Sequence, residues 1–63
     1  MDTPKLLYSV REAAERLSLS PVTVKKLVQR GELPAVRVLR RVLIPHDALV
    51  GYVERLRERE EGR

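Results

Sequence analysis

The side chains with the clearest chemical potential are the cationic ones, and they are concentrated in the middle of the chain. Segment 20–46 carries six Lys and Arg residues against one carboxylate, that of Glu32, which gives it a net charge of +5. The rest of the chain carries seven basic and eight acidic residues, so the formal net charge of +4 arises entirely from the central segment. Cations concentrated in this way favour binding to a polyanion through its phosphates. The alternative is a solvated face on an arginine-rich protein.

His46 and Asp47 are adjacent residues whose types are suited to acid–base catalysis. The chain has one histidine, no cysteine and three serines. Adjacent positions at a helix start point in different directions, so these two side chains do not form the base and orienting carboxylate that activate a nucleophile. The sequence also lacks a glycine-rich phosphate loop and the usual spacings of metal ligands. We therefore expect no enzyme activity, no metal site, no cofactor and no small-molecule ligand.

The length and the composition limit the chain to one small domain. A chain of 63 residues buries only about 60% of the surface that its unfolded form exposes, so nearly every apolar side chain is needed in the core. Because cysteine is absent, no disulfide or thiolate zinc site supports the fold. No stretch approaches the roughly 20 apolar residues of a membrane-spanning helix. We expect a cytoplasmic protein without membrane contact.

Two short helices are predicted in the first half of the chain. Ser9 and Glu12 have the spacing of a capping box, which starts a helix with apolar side chains at positions 10, 13, 14 and 17. Ser20 is a second N-cap residue, and Pro21 opens a helix that buries positions 24, 27 and 28. Gly31 ends this helix, because glycine readily adopts the left-handed conformation. Two helices separated by a two-residue break indicate a helix-turn-helix.

The apolar pattern changes to a period of two after the second helix and predicts a β-hairpin. Val36 and Val38 share one face of the first strand, whereas Arg37 lies on the other. Residues 42–44 repeat the alternation, and the three-residue link between the two runs is short enough only for a hairpin. The result is a small antiparallel wing, about residues 35–44, with a cationic tip.

A third helix is predicted to open at Pro45 and to run to about Glu60, with positions 49, 53 and 56 as its inner stripe. The last residues, 57–63, contain no apolar side chain and are expected to fray. Residues 1–8 are assigned to an N-terminal lead-in and residues 9–56 to the domain. The predicted fold is mostly α with a small β-hairpin wing, a winged helix-turn-helix of order α-α-β-β-α.

Four segments carry a family resemblance: Tyr8–Leu17, Ser20–Val24, Arg30–Val38 and Arg40–Pro45. Their E-A-A, S-x-x-T-V and R-G-E-L-P-A motifs are more specific together than any one of them is alone. In this combination the chain resembles the excisionase family of winged helix-turn-helix proteins, relatives of the MerR-type DNA-binding domain. The resemblance implies a recognition helix at about residues 21–30 in the major groove of double-stranded DNA. It also implies a wing that follows the backbone or enters the minor groove.

The candidate contacts to DNA follow from the predicted inward side of the recognition helix. Lys25 faces outward and is placed to donate to guanine or to a phosphate, and Gln29 either reads adenine or touches only the backbone. Ser20 and Thr23 either bind phosphates at the helix start or only cap the helix. The three arginines of the wing suit phosphates or a narrow minor groove. The full candidate set is Ser20, Pro21, Val22, Thr23, Lys25, Lys26, Gln29, Arg30, Arg37, Arg40 and Arg41.

Ser18, in the joint between the helices, and Leu39, at the wing tip, occupy positions where the family usually has glycine. Because a positive φ is costly for a residue such as Leu39, we expect a longer loop or a different turn in this wing. Alternation places Leu43 on the outward face, where it is expected to form an apolar patch with Leu39. This patch either contacts a neighbouring copy or a partner protein, or is an incidental pair of surface leucines.

Two classes of function remain open at this point. The first is a DNA-binding module, either an excisionase-like recombination directionality factor or a small transcriptional regulator, with double-stranded DNA, further copies of the chain or a recombinase as partners. The second is a protein-interaction adaptor built on a helix-turn-helix scaffold. Cations on both the recognition helix and the wing tip favour the first class, because an adaptor does not need them. The third helix is too short for a stable coiled coil, so we expect a monomer in free solution.

Overall fold

The computed structural model describes residues 5–61 and arranges them as three helices and one three-stranded antiparallel sheet. The elements in chain order are β1 (Leu7–Ser9), α1 (Val10–Leu17), α2 (Pro21–Gln29), β2 (Val36–Val38), β3 (Arg41–Pro45) and α3 (His46–Glu61). Buried residues from all three helices form one core with Tyr8 and Ile44, which are paired on the inner face of the sheet. This arrangement confirms the predicted winged helix-turn-helix.

The start of α1 is fixed by the predicted capping box. The Glu12 N–H donates to Ser9 Oγ at 3.1 Å, and the Ser9 N–H donates to Glu12 Oε1 at 3.0 Å. The ammonium of Lys5 also pairs with the Glu12 carboxylate. The hydrogen bond from Lys5 and that from the Ser9 backbone lower the pKa of Glu12 from 4.5 to about 2. The carboxylate therefore stays ionised and joins the N-terminal strand to the first helix.

The joint between α1 and α2 is closed by Ser18 in the left-handed conformation, with φ 61° and ψ 39°. The Ser18 N–H returns to the Glu15 carbonyl at 3.3 Å and the Leu19 N–H to the Ala14 carbonyl at 2.9 Å, the two bonds of a Schellman motif. A left-handed residue with a side chain costs about 1–2 kcal/mol, so this joint retains the backbone geometry that glycine usually provides, at some cost.

The end of α2 repeats the same motif on the predicted Gly31, whose φ is +79°. The Gly31 N–H donates to the Val28 carbonyl at 3.0 Å and the Glu32 N–H to the Leu27 carbonyl at 2.9 Å. The chain then turns so that Leu33, only 1% exposed, enters the core. The Schellman motif thus both ends the second helix and directs the next segment toward the sheet.

The sheet has the strand order β1-β3-β2, with β3 in the centre. Tyr8 lies opposite Ile44 across β1 and β3, and Val36 lies opposite Leu43 across β2 and β3. The strand β1, most of which lies in the predicted lead-in of residues 1–8, was not predicted, because three residues are too few to show an alternating pattern. The strand forms because β3 offers it an edge, and the His46 N–H extends the pairing to the Leu6 carbonyl at 2.9 Å.

The wing turns through only two residues, Leu39 and Arg40, because Val38 pairs directly with Arg41. Leu39 has φ 56°, and no other wing residue has a positive φ. A positive φ at the first central residue alone is the pattern of a type II′ turn, whose twist matches that of the flanking strands. Of the two expected alternatives, the longer loop is therefore wrong: the turn has two residues, and Leu39 takes the strained conformation.

The outer part of the fold differs from the prediction at two places. Leu43 lies on the outer face of the sheet as expected, but its neighbours in β1 and β2 leave it half-buried rather than exposed. In α3 only Leu49 of the predicted inner stripe is buried, whereas Val53 and Leu56 are exposed because the helix extends beyond the core. The helix ends at Glu61, close to the predicted end. Residues 1–4 of the predicted lead-in and 62–63 of the predicted fraying end lie outside the described residues.

Candidate nucleic-acid interface

One side of α2 is packed and the other is open to solvent. Val24 and Leu27 are buried and Val28 is partly buried, as the periodicity predicted. Val22, on the opposite side, is 62% exposed. The exposed residues from the helix start to its C-cap are Ser20, Pro21, Val22, Thr23, Lys25, Lys26, Gln29 and Arg30. All the candidate residues of this helix are therefore accessible to a partner.

The hydroxyl groups at the N-terminus of α2 form a pair. Ser20 Oγ accepts the Thr23 N–H at 3.2 Å and lies 2.9 Å from Thr23 Oγ1. Ser20 thus caps the helix, which was one of its two predicted roles. Both hydroxyls remain exposed, so capping leaves the helix N-terminus and its partial positive charge open to an anion.

The helix α2 and the β2–β3 hairpin meet at a groove of about 260 Å³. Lys25 and Gln29 line it from α2, and Arg37 lines it from β2. Arg37 reaches this side because it pairs with Val42 on the inner face of the sheet, where strand alternation turns it toward the helix. The apolar floor of the groove is formed by Val10, Val28 and Val42. The groove joins polar groups of the two predicted DNA-contacting elements in one surface.

The remaining cations of the wing lie at its tip and on its outer face. Arg40 is in the two-residue turn, and Arg41 begins β3 opposite Val38, whose side chain shares the outer face. All three arginines of the wing are exposed. Because Arg37 lies on the inner face and Arg41 on the outer one, the hairpin presents guanidinium groups on both of its sides.

Among the residues that the structure describes, most of the cations on this surface are not neutralised by a neighbouring carboxylate. Arg30 Nη1 lies 3.8 Å from Glu32 Oε2, a long and exposed ion pair. Within residues 5–61, the other five cations of the central segment make no salt bridge. Their positive potential is therefore available to an anionic partner.

Comparison with known families agrees with this geometry. Residues 7–57 match the family model of a helix-turn-helix domain, from the start of β1 to well into α3. The chain belongs to this helix-turn-helix family. The match supports DNA binding as the general function of the domain. No curated protein and no solved structure matches the chain.

Two contacts of this helix-turn-helix domain were not expected from the sequence. Arg55 Nη2 donates to the Glu32 carbonyl at 2.9 Å and thereby attaches α3 to the segment that follows α2. Glu32 itself pairs with Arg30, which offsets part of the positive potential of one candidate residue. The second contact was detectable as a carboxylate two positions after a cation, whereas nothing local to Arg55 indicates its partner.

The histidine of the helix-turn-helix domain lies close to the side chain of Tyr8. His46 Nδ1 lies 3.4 Å from the Tyr8 hydroxyl, and the Arg16 guanidinium lies 5.6 Å from the centre of the Tyr8 ring.

Among residues 5–61, no group of three His, Cys, Asp or Glu side chains is placed to hold a metal ion. No helix in that same stretch has both the length and the apolar character needed to cross a bilayer.

Proposed function

We propose that this helix-turn-helix domain binds double-stranded DNA, with α2 as the recognition helix in the major groove and the β2–β3 hairpin as a wing on the adjacent backbone or minor groove. The observation that carries the proposal is the shared groove, in which Lys25 and Gln29 of the helix lie beside Arg37 of the wing. A helix and a cationic hairpin joined in this way have the dimensions to contact neighbouring grooves of one duplex. In this proposal the chain acts by binding alone, without a catalytic step.

The helix residues divide into two roles. Lys25, Gln29 and the exposed Val22 face the bases, where a lysine donates to guanine and a glutamine to adenine. Ser20 and Thr23 offer hydroxyls and backbone N–H groups to a phosphate at the start of the helix. The remaining candidates on the helix and wing neutralise phosphates: Lys26, Arg30, Arg37, Arg40 and Arg41.

The test is a fluorescence-anisotropy titration of a random duplex at several salt concentrations. With five cations assigned to phosphates, four or five phosphate contacts give a log–log salt slope of roughly −4 to −5. The double variant Lys26→Ala, Arg40→Ala should reduce the slope by about two, because each phosphate that a cation neutralises accounts for about 0.9 of the slope. The control Arg57→Ala, Arg59→Ala removes the same charge from exposed positions of α3 and should leave the slope almost unchanged.

If the wild-type protein shows no salt-dependent binding, the DNA proposal fails and the adaptor function takes its place. If both double variants weaken binding equally, the interaction is a response to net charge and α2 with the wing is not the contact surface.

Two biological roles fit such a domain, an excisionase-like recombination directionality factor or a small transcriptional regulator. An excisionase-like factor bends its DNA and binds in tandem, with further copies or a recombinase as partners. A regulator needs only to occupy its site. Once the site is identified, measuring the bend and the number of copies bound distinguishes the two roles.

A further inference from the structure

The wing tip carries an apolar side chain that does not stabilise the free protein. Leu39 is 93% exposed and has φ 56°. Its side chain therefore gains no burial, and its backbone occupies a conformation that glycine or asparagine adopts more readily. A strained residue with no stabilising contact of its own points to a role that is realised only with a partner.

The surroundings of Leu39 indicate the chemistry of that partner. Arg40 is its neighbour in the turn, and Arg41 begins the next strand. Guanidinium groups are drawn into the minor groove and to the phosphates at its rim. An apolar side chain beside such cations is matched by a surface that is anionic outside and apolar within, and stacked bases between two phosphate backbones have this character.

The turn also has the shape to reach such a surface. It consists of two residues only, so the hairpin ends in its narrowest possible form. The minor groove is about 6 Å wide, and apolar residues such as leucine are known to enter it and to separate neighbouring base pairs.

We propose that Leu39 is a wedge that enters the minor groove, partly unstacks one base step and bends the DNA, while Arg40 and Arg41 hold the flanking phosphates. The proposal rests on the proposed DNA-binding function and adds a source of sequence preference to it. Pyrimidine–purine steps such as TA and CA unstack most easily, so the wedge favours sites with such a step under the wing.

The test compares Leu39→Gly and Leu39→Asn with the wild-type protein on a short duplex that contains TA and CA steps. Both replacements suit the positive φ, so the turn is retained while the apolar side chain is removed. The control is Leu6→Gly, because Leu6 is also highly exposed, at 83%, but lies beside the other end of β3. Affinity, its salt slope and the end-to-end distance of the duplex by energy transfer are measured for each protein.

We expect both Leu39 variants to bind about tenfold more weakly, the effect of losing roughly half the gain of full leucine burial. The salt slope should not change, because no phosphate contact is removed. The bend should decrease from a value within roughly 20–90°, the range that such wedges produce. Leu6→Gly should match the wild-type protein in all three measurements.

If the Leu39 variants bind and bend DNA like the wild-type protein, the wedge is overturned while DNA binding stands. If they lose only the cooperative binding of a second copy on a longer duplex, Leu39 contacts protein and the wedge is again overturned. If the wild-type protein binds no duplex, the proposed function fails, and the wedge fails with it.

Discussion

Ser18 and Leu39 both hold a positive φ without being glycine, at 61° and 56°, and their surroundings give different reasons for it. Ser18 closes a Schellman motif, so its conformation is required by the hydrogen bonds that end α1. The positive φ of Leu39 is set by the two-residue turn of the wing, and its exposed side chain gains no burial in the folded protein. The strain at Ser18 is thus offset by the hydrogen bonds of the joint, whereas we attribute the strain at Leu39 to the proposed contact with DNA.

Ser18→Gly is predicted to stabilise the protein. Glycine relieves about 1–2 kcal/mol of left-handed strain and loses about 0.5–1 kcal/mol to its greater freedom in the unfolded chain. The net gain is about 0.5–1 kcal/mol in the free energy of unfolding, measured by urea denaturation. The opposite change at the end of α2, Gly31→Ala, should cost about 0.5–1 kcal/mol by the same two terms, since an added Cβ has nothing within 4 Å. Two changes of the same sign would contradict this account.

Glu12 is predicted to make the free energy of unfolding depend on pH in the acidic range. Its pKa is about 2 in the folded protein against an ordinary value of 4.5, so its contribution is complete above about pH 4.5 and is lost as the pH falls toward 2. Glu12→Gln keeps the capping box but removes the charge that Lys5 contacts. The variant should melt at a lower temperature at pH 7 and should show a smaller loss of melting temperature between pH 4.5 and 2. Parallel pH profiles for the two proteins would exclude the Lys5 contact as the cause.

At the scale of elements, β3 connects the wing to the core. Its first residue, Arg41, lies beside the wing turn, and Ile44, with no exposed surface, lies at the centre of the core. The same strand pairs with β1 and β2 on its two sides. A change in the packing of β3 therefore affects the position of the arginines as well as the stability of the domain.

Ile44→Ala is predicted to remove a large part of the free energy of unfolding. Truncating a buried isoleucine costs about 2–5 kcal/mol, whereas the total stability of a domain of this size is about 3–9 kcal/mol. Ile44→Val should cost only about 0.5–1.5 kcal/mol and leave a folded protein. Circular dichroism during urea denaturation measures both, with Val36→Ala on the exposed face of β2 as the control. Similar costs for all three variants would show that Ile44 is not the centre of the core.

The elements divide into those that local sequence determines and those that it does not. The capping box at Ser9, the cap at Ser20 and the end of α2 at Gly31 were predicted, because each depends on residues within one turn of a helix. The strand β1, the contact from Arg55 to Glu32 and the position of Arg37 beside Lys25 depend on residues far apart in the chain. The exposure of the candidate residues on α2 was therefore predictable from the sequence, whereas the groove that joins two of them to Arg37 was not.

At the scale of the whole molecule, all six cations of the central segment are exposed and make up a basic face that extends over α2 and around both sides of the wing. Glu32 pairs with Arg30 at 3.8 Å and lowers the potential of that face. Its backbone carbonyl also accepts the hydrogen bond from Arg55. One residue thus limits the charge of the face through its side chain and supports α3 through its backbone.

Glu32→Gln is predicted to tighten binding to duplex DNA. The change raises the charge of the face and releases Arg30, and it leaves the backbone contact of Arg55 in place. The salt slope should become steeper by up to about 0.9, the value of one phosphate contact. Glu58→Gln makes the same charge change on α3 and should have a smaller effect in the same anisotropy titration. Equal effects of the two variants would indicate a response to overall charge.

The position of β1 has a consequence for how the protein avoids aggregation. Without this strand, one side of β3 would be an unpaired edge with Leu43 and Ile44 along it, and such edges pair readily with strands of other molecules. β1 covers that edge with only three residues, and β2 covers the opposite side. The N-terminal segment therefore shields the most apolar strand of the domain from intermolecular β-pairing.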